Sequence, residues 1–454
     1  MATEPHRSNF VRSEATCEIT LRRRNPRGGI DRAHTWLAEP IEGASVAAFR
    51  RIFGLVMLVA CARFVVTGCV GEYFATPTHF FHYRFFGWVE PLPVIGMYVL
   101  YGGLIALAAM IALGKQTRVA VAMFGVGFAY AHLVDKTNYL NHYYLVICTS
   151  FLLAALPTGN RIPRWVLVAL RAQIALVYIF GGVAKLKAGW LFDAQPLSIW
   201  LRANGDFPLI GWLFEQKWVA FVFAWTGAAF DLCIVPLLVW RRSRPFAYVL
   251  VVVFHVVTAR LFHLGMFPWI MMASSLIFLA PEWPRHLGSR VLHRDLPAPT
   301  GGSPRRVPAL LVAYFAFALL FPLRHLVIPG DVLWTEEGFR FSWHVMVMQK
   351  DGSTEFHVRE PGTNRRWDVN PSEYLTRFQT TMMSSQPDEI LELAHIIADD
   401  FRARGVRDPE VTVDAFVSLN GAPRERLIDP TVDLGRATDG WGHAAWILPR
   451  GTTK

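Results

Sequence analysis

The stretch RWVLVALRAQIALVYIFGGVAKLKAGW, residues 164–190, decides the fold. Its apolar run has the length that a bilayer demands of a helix, roughly 20 residues. It closes on Gly181, Gly182 and then Lys185. An amine at the end of a membrane helix has two physical readings. It reaches for water along its own methylenes, or it is desolvated, uncharged and able to act as a base.

Working outward, the same character recurs. The 454 residues are 53% hydrophobic and 18% charged, which is too apolar for a soluble chain. Nine candidate spans are expected, at 51–71, 92–113, 118–134, 141–157, 165–186, 218–240, 245–264, 266–281 and 307–328. The predicted inner segments carry clusters such as Arg22, Arg23, Arg24 and Arg27, then Arg241, Arg242 and Arg244, then Arg290, Arg294, Arg305 and Arg306. The predicted outer loops carry only Arg84, Lys136, Lys187, Arg202 and Lys217. This asymmetry places the N-terminus in the cytoplasm, and an odd span count places residues 329–454 outside it. The net charge of +10 is then topological arginine that attracts anionic lipid, and no nucleic acid is expected as a partner.

Three parts follow: a basic N-terminal tail (1–45), a helical transmembrane catalytic domain (46–328) and an extracytoplasmic α+β domain with an antiparallel sheet (329–454). In the last part, FRFSWHVMVM (339–348), TEFHVRE, RRWDV, EVTVDAFVSL and AWIL read as strands. DEILELAHIIADDFRARG reads as an amphipathic helix ended by Gly405. No cleaved signal peptide is expected. None of the five cysteines falls in the outer part, and no metal-type Cys/His spacing occurs.

Polar residues inside spans are costly, so each is weighed. Depth counting at 1.5 Å per residue puts Lys185, Asn141, His142 and His263 at the outer level, with His255 near mid-depth. Gly181 and Gly182 precede Lys185 by four and three residues and share its face. They leave room for a flat ring there, or they pack helices, as small residues do in membranes. Asp231 lies in the inner half of its span at a depth similar to Arg171, which reads as a structural ion pair. At that depth Asp231 is too far from Lys185 to hold a proton on the amine. Arg63 has no evident partner.

Several segments now join. DKTNYLNHYYL (135–145), LRAQIALVYIFGGVAKLKAGW (170–190) and FHVVTARLFHLGMFPWIMMASSLIFLAPEWPR (254–285) lie in the helical part. FSWHVMV (341–347), VNP (369–371) and FVSLN…RLIDPTVDL (416–434) lie in the outer part. In these the chain resembles the vitamin K-dependent gamma-glutamyl carboxylases, in their short bacterial form. The resemblance implies an enzyme in which a lysine deprotonates vitamin K hydroquinone and the anion reacts with O₂. The oxygenated quinone then takes a γ-proton from a glutamate side chain, CO₂ adds, and the vitamin leaves as its epoxide. It implies Lys185 as the base and His142 as support for the oxygenation. Asn141, His255, Gly181, Gly182 and Thr258 are expected around the quinone, with no metal. Thr258 stands where fuller members carry Asn. Partners would be a glutamate-containing peptide or protein and the bilayer. Two other readings are a quinol oxygenase without carboxylation and a non-catalytic membrane scaffold or receptor.

Overall fold

A computed structural model describes residues 29–262, 264–286, 307–440 and 442–451. His263, the arginines at 22–27 and those at 290–306 lie outside the described residues. The apolar helices run α1 (Ala44–Val66), α2 (Val94–Ala112), α3 (Thr117–Leu133), α4 (Asn141–Ala155), α5 (Arg164–Ala184), α6 (Lys217–Val239), α7 (Arg244–Leu261), α8 (Phe267–Ser275) and α9 (Ala309–Leu320). Proline sets several starts: Pro93, Pro163 and Pro308 immediately precede α2, α5 and α9, and Pro245 and Pro268 open α7 and α8.

Among the described residues, six helices are long and apolar enough to cross a membrane: α1, α2, α5, α6, α7, and α9 with the 3-10 stretch that prolongs it to Val327. The other three expected spans are short. With 17 and 15 residues, α3 and α4 rise only about 26 and 23 Å, less than the roughly 30 Å hydrocarbon core. The eighth, Phe267–Phe278, is shorter still. Leu55, Val99, Trp225, Val249 and Leu310 stand exposed on the helices, as lipid-facing side chains do. The chain therefore fits an integral membrane protein.

Gly29–Ala38 is a helix, and Pro40–Glu42 (β1) pairs antiparallel with Arg161–Pro163 (β2) at the foot of α5.

In the C-terminal part, β3 (Lys350–Arg359), β4 (Arg366–Val369), β5 (Glu410–Leu419) and β6 (Glu425–Arg426) form an antiparallel sheet in the order β4-β3-β5-β6. Along β5 the buried residues alternate: Val411, Val413, Ala415, Val417 and Leu419. That period-two face packs on α10 (Pro387–Ala403), whose Ile390, Leu393, Ala394 and Ile397 recur at helical spacing. Gly405, at φ +87°, ends the helix region in the left-handed conformation. Two expected strands are not strands. FRFSWHVMVM is irregular, because Phe341, Trp343 and Met346 all take positive φ, which breaks the pleat. AWIL makes only the single bridge Ile428↔Ile447.

The DKT segment docks the two parts. Asp135 Oδ1 accepts from Thr137 N, while its Oδ2 accepts from Gln379 Nε2 at 2.8 Å. Lys136 Nζ reaches Glu392 at 2.7 Å and Asp388 at 3.1 Å. The His82 N–H donates to Glu392 Oε1 at 2.8 Å. Burial alone would raise Glu392, but His82 and Lys136 outweigh it and hold it below the usual carboxylate range.

Candidate functional site

The site starts from the end of α5. Lys185 is the C-cap of that helix, with its N–H on Gly182 O at 3.1 Å. The side chain does not extend to water; it is 5% exposed and turns back along the helix. Nζ donates to Asp231 Oδ2 at 2.8 Å, to Gly181 O at 3.1 Å and to Val345 O at 3.2 Å. The Trp190 ring lies 5.4 Å away. Three acceptors surround three possible N–H donors.

The expected Arg171–Asp231 pair does not form. Asp231 belongs to Lys185, and Arg171 instead donates to the carbonyls of Ile277, Phe278 and Leu279 at 3.0, 3.1 and 2.8 Å. Those carbonyls end a helical turn and lack partners of their own. Depth counting fails because it starts both helices at one level. α6 begins well beyond the end of α5: Trp190 Nε1 donates to Ala224 O at 2.8 Å, and Gly182 meets Leu232. This antiparallel offset carries Asp231 up to the lysine.

The two glycines divide their expected role. Gly181 lines the cavity, where a Cβ would lie 3.7 Å from Asp231 Oδ2 and 4.0 Å from Lys185 Nζ. Gly182 is helix packing. A Cβ there would meet the Leu232 side chain at 2.9 Å and its backbone N at 3.1 Å.

Beside the pair opens a cavity of about 70 Å³. Its walls are apolar and largely aromatic, including Leu197, Phe223, Phe254, Phe262, Phe267 and Met271. His255 and Thr258 line it too. His255 Nε2 bonds the Tyr178 hydroxyl at 3.1 Å, and that hydroxyl meets Ser275 Oγ at 3.0 Å. His255 Nδ1 is buried without a hydrogen-bond partner among the described residues. The Thr258 hydroxyl is spent on its own helix, donating to His255 O at 3.0 Å. Tyr178 and Ser275 were not singled out from the sequence, and Trp190 reads there as an interfacial residue at headgroup level. Tyr178 had a usable signal, being three residues before Gly181 and on its face.

Asn141 and His142 sit one layer away and do not line this cavity. The His142 ring packs on Phe267 at 5.9 Å, and Phe267 in turn touches His255 at 5.8 Å. Asn141 Nδ2 donates to His344 O at 3.2 Å, next in the chain to the carbonyl that Lys185 uses. Residues 341–346 thus form a strap over the site, and their main chain supplies both contacts. Burial, with His325 and Lys187 nearby, pushes the strap's His344 down to about 3. Among the described residues, no group of three or more His, Cys, Asp or Glu side chains is placed to hold a metal ion.

Residues 38–161 and 157–283 match the HTTM domain. Residues 304–453 match the family described as Vitamin K-dependent gamma-carboxylase, lumenal domain. No solved structure matches the chain.

Proposed function

Because the chain belongs to the vitamin K-dependent gamma-glutamyl carboxylase family, we propose that it carboxylates glutamate side chains of a peptide or protein, coupled to oxygenation of vitamin K hydroquinone to the epoxide. The observation that carries this reading is the Lys185–Asp231 pair at the polar end of an apolar, aromatic-walled cavity. The fit to a flat lipid-soluble ring rests on those walls, on Gly181 beside the amine, and on the unshared Nδ1 of His255.

The lone amine expected from the sequence gives way to a pair. A quinol hydroxyl placed at Nζ gives its proton to the amine as the amine passes one of its own to Asp231. The pair goes from net zero to net +1 beside the new anion, which it holds by charge. Oxygenation of the bound hydroquinone supplies the driving force for removing the glutamate γ-proton, which no side-chain base reaches at neutral pH. Phe223, Phe254, Phe262 and Phe267 exclude water from the chemistry. His255 holds a second polar edge of the ring from Nδ1, with Tyr178 fixing its orientation through Nε2. His142, behind Phe267, supports the oxygenation step. The arginine asymmetry supports a cytoplasmic N-terminus and an extracytoplasmic sheet domain, so peptide and CO₂ arrive beneath that domain.

The test uses the full chain in lipid with reduced vitamin K, O₂, labelled CO₂ and a glutamate peptide, beside Lys185→Ala. Label in the peptide and epoxide in solution, both lost in Lys185→Ala, are the expected results. Epoxide without label would reduce the activity to quinol oxygenation. Neither product from a folded protein would overturn the proposal.

A further inference from the structure

The loop that joins α5 to α6 carries an apolar tip turned away from the rest of the protein. Leu209 is 94% exposed, Trp212 is 65% exposed, and Ile210 between them is exposed as well. Leu209 holds a φ of +69°, a left-handed conformation that leucine rarely adopts. The turn around it is closely built. The Gly211 N–H donates to Phe207 O at 2.8 Å, and a Cβ on Gly211 would lie 2.1 Å from Gly205 O.

Packing fixes the level of this tip. Lys187 Nζ meets Asp331 at 2.8 Å and Trp200 Nε1 meets Gln349 at 2.6 Å, so the loop lies at the end of the bundle that carries the sheet domain. From there residues 207–214 turn back along α6. The Phe214 ring meets Phe207 at 6.0 Å and Phe223 at 6.3 Å. Phe223 lies six residues past Lys217, which opens α6, and so about 9 Å along its axis. The 23 residues of α6 rise about 34 Å, little more than the roughly 30 Å hydrocarbon core. Phe223 is therefore inside the core even if all of that excess lies at this end.

The tip is suited to that medium. Trp212 Nε1 donates to Leu209 O at 3.1 Å, and Pro208 has no N–H to leave unpaired. Arg202, Asp206, Glu215 and Lys217 stand exposed around it. An apolar patch with a charged rim marks a protein or a membrane contact. Continuity decides between them: exposed Trp218 and Trp225 carry the patch onto the lipid-facing side of α6. We propose that Leu209–Trp212 is a wedge inserted into the leaflet nearer the sheet domain, at the boundary of headgroups and acyl chains, with lipid as its partner. Phe214 then links that wedge to Phe223, a wall of the Lys185 cavity.

The experiment places an environment-sensitive fluorescent amino acid at Leu209 in one sample and at Trp212 in another, in the full chain. Each is held in nanodiscs of ordinary phosphatidylcholine or of phosphatidylcholine brominated near the headgroup end of its acyl chains. Both reporters should lose about half or more of their emission to the brominated lipid. A reporter at Glu355, exposed on the outward face of the sheet, should lose none. Adding Leu209→Asp to the Trp212 reporter should withdraw the tip and restore emission. Equal emission in the two lipids at both positions would overturn the proposal. A spectral shift that needs two chains in one disc would assign the tip to a second copy and overturn it as well.

Discussion

Two lysines, Lys185 and Lys136, are buried to nearly the same degree, at 5% and 7% exposure, and each lies 2.8 Å or less from a carboxylate. They do different work. Lys136 is shared by Glu392 and Asp388, and it ties the helical part to the sheet domain at the wall of an open, charged groove of about 770 Å³. Lys185 has one carboxylate and two main-chain carbonyls, and it closes the polar end of an apolar-walled cavity of about 70 Å³. Burial and pairing therefore do not separate chemistry from architecture. What separates them is the number of carboxylates and the medium beside the amine. Lys136 faces two carboxylates and Lys185 a single one, and the proposed proton exchange rests on that difference.

The largest expected effect breaks the comparison at Lys185. Replacing it with Met should lower epoxide formation by about 10²–10⁴-fold per folded molecule, and because it strands the buried Asp231 it should lower the unfolding temperature as well. Lys136→Met should destabilise the chain by about 1–3 kcal/mol, read by denaturant titration, since it takes one partner from the half-buried Asp388 and Glu392 and leaves them Arg340 and His82. Its turnover per folded molecule should stay near wild type; loss of turnover there would erase the contrast. Next comes Asp231→Asn. Without an acceptor for its spare proton the amine must already be uncharged, so the rate should drop about 10²-fold at pH 7 and climb with pH. An unchanged rate and profile would remove Asp231 from the chemistry. The glycines sharpen the same site: Gly181→Val should raise the KM for hydroquinone. Gly182→Ala should cost about 1–3 kcal/mol by pushing Leu232 away, with KM unchanged.

The smallest effect concerns pH and the clamp. Glu392 is held low, so its stabilisation is complete above the unfolded value near 4.3 and fades as pH falls through its lower folded value. The Glu392 contact raises His82, so that stabilisation is present below about 6.5 and fades as pH rises through its raised value. Unfolding temperature should therefore peak between roughly pH 4.5 and 6.5. Glu392→Gln should flatten both flanks, and a profile identical to wild type would exclude the clamp as their source.

Much of this was legible in the sequence. Apolar blocks located the nine apolar helices among the described residues, six of them long enough to span, and alternation located β5 to the residue. Span length was harder to read. Short helices such as α4 hold a dense apolar run within only 15 residues, so composition alone overstates what crosses a bilayer. The strap misled for a different reason. FRFSWHVM alternates like a strand, yet its positive φ angles arise from docking between the two parts, which local pattern does not encode. Asp231 was misplaced because helix offset is set by packing, at Gly182 on Leu232 and Trp190 on Ala224, rather than by residue count.

Val345 meets the Lys185 amine through its carbonyl oxygen. Exchanging its side chain leaves that oxygen where it is. A saturation screen would therefore score position 345 as tolerant, although its carbonyl meets the amine proposed as the reactive centre. Sensitivity would surface instead at Phe341, Trp343 and Met346, whose unusual torsions aim the peptide plane. In this strap, mutational tolerance and proximity to the chemistry run in opposite directions.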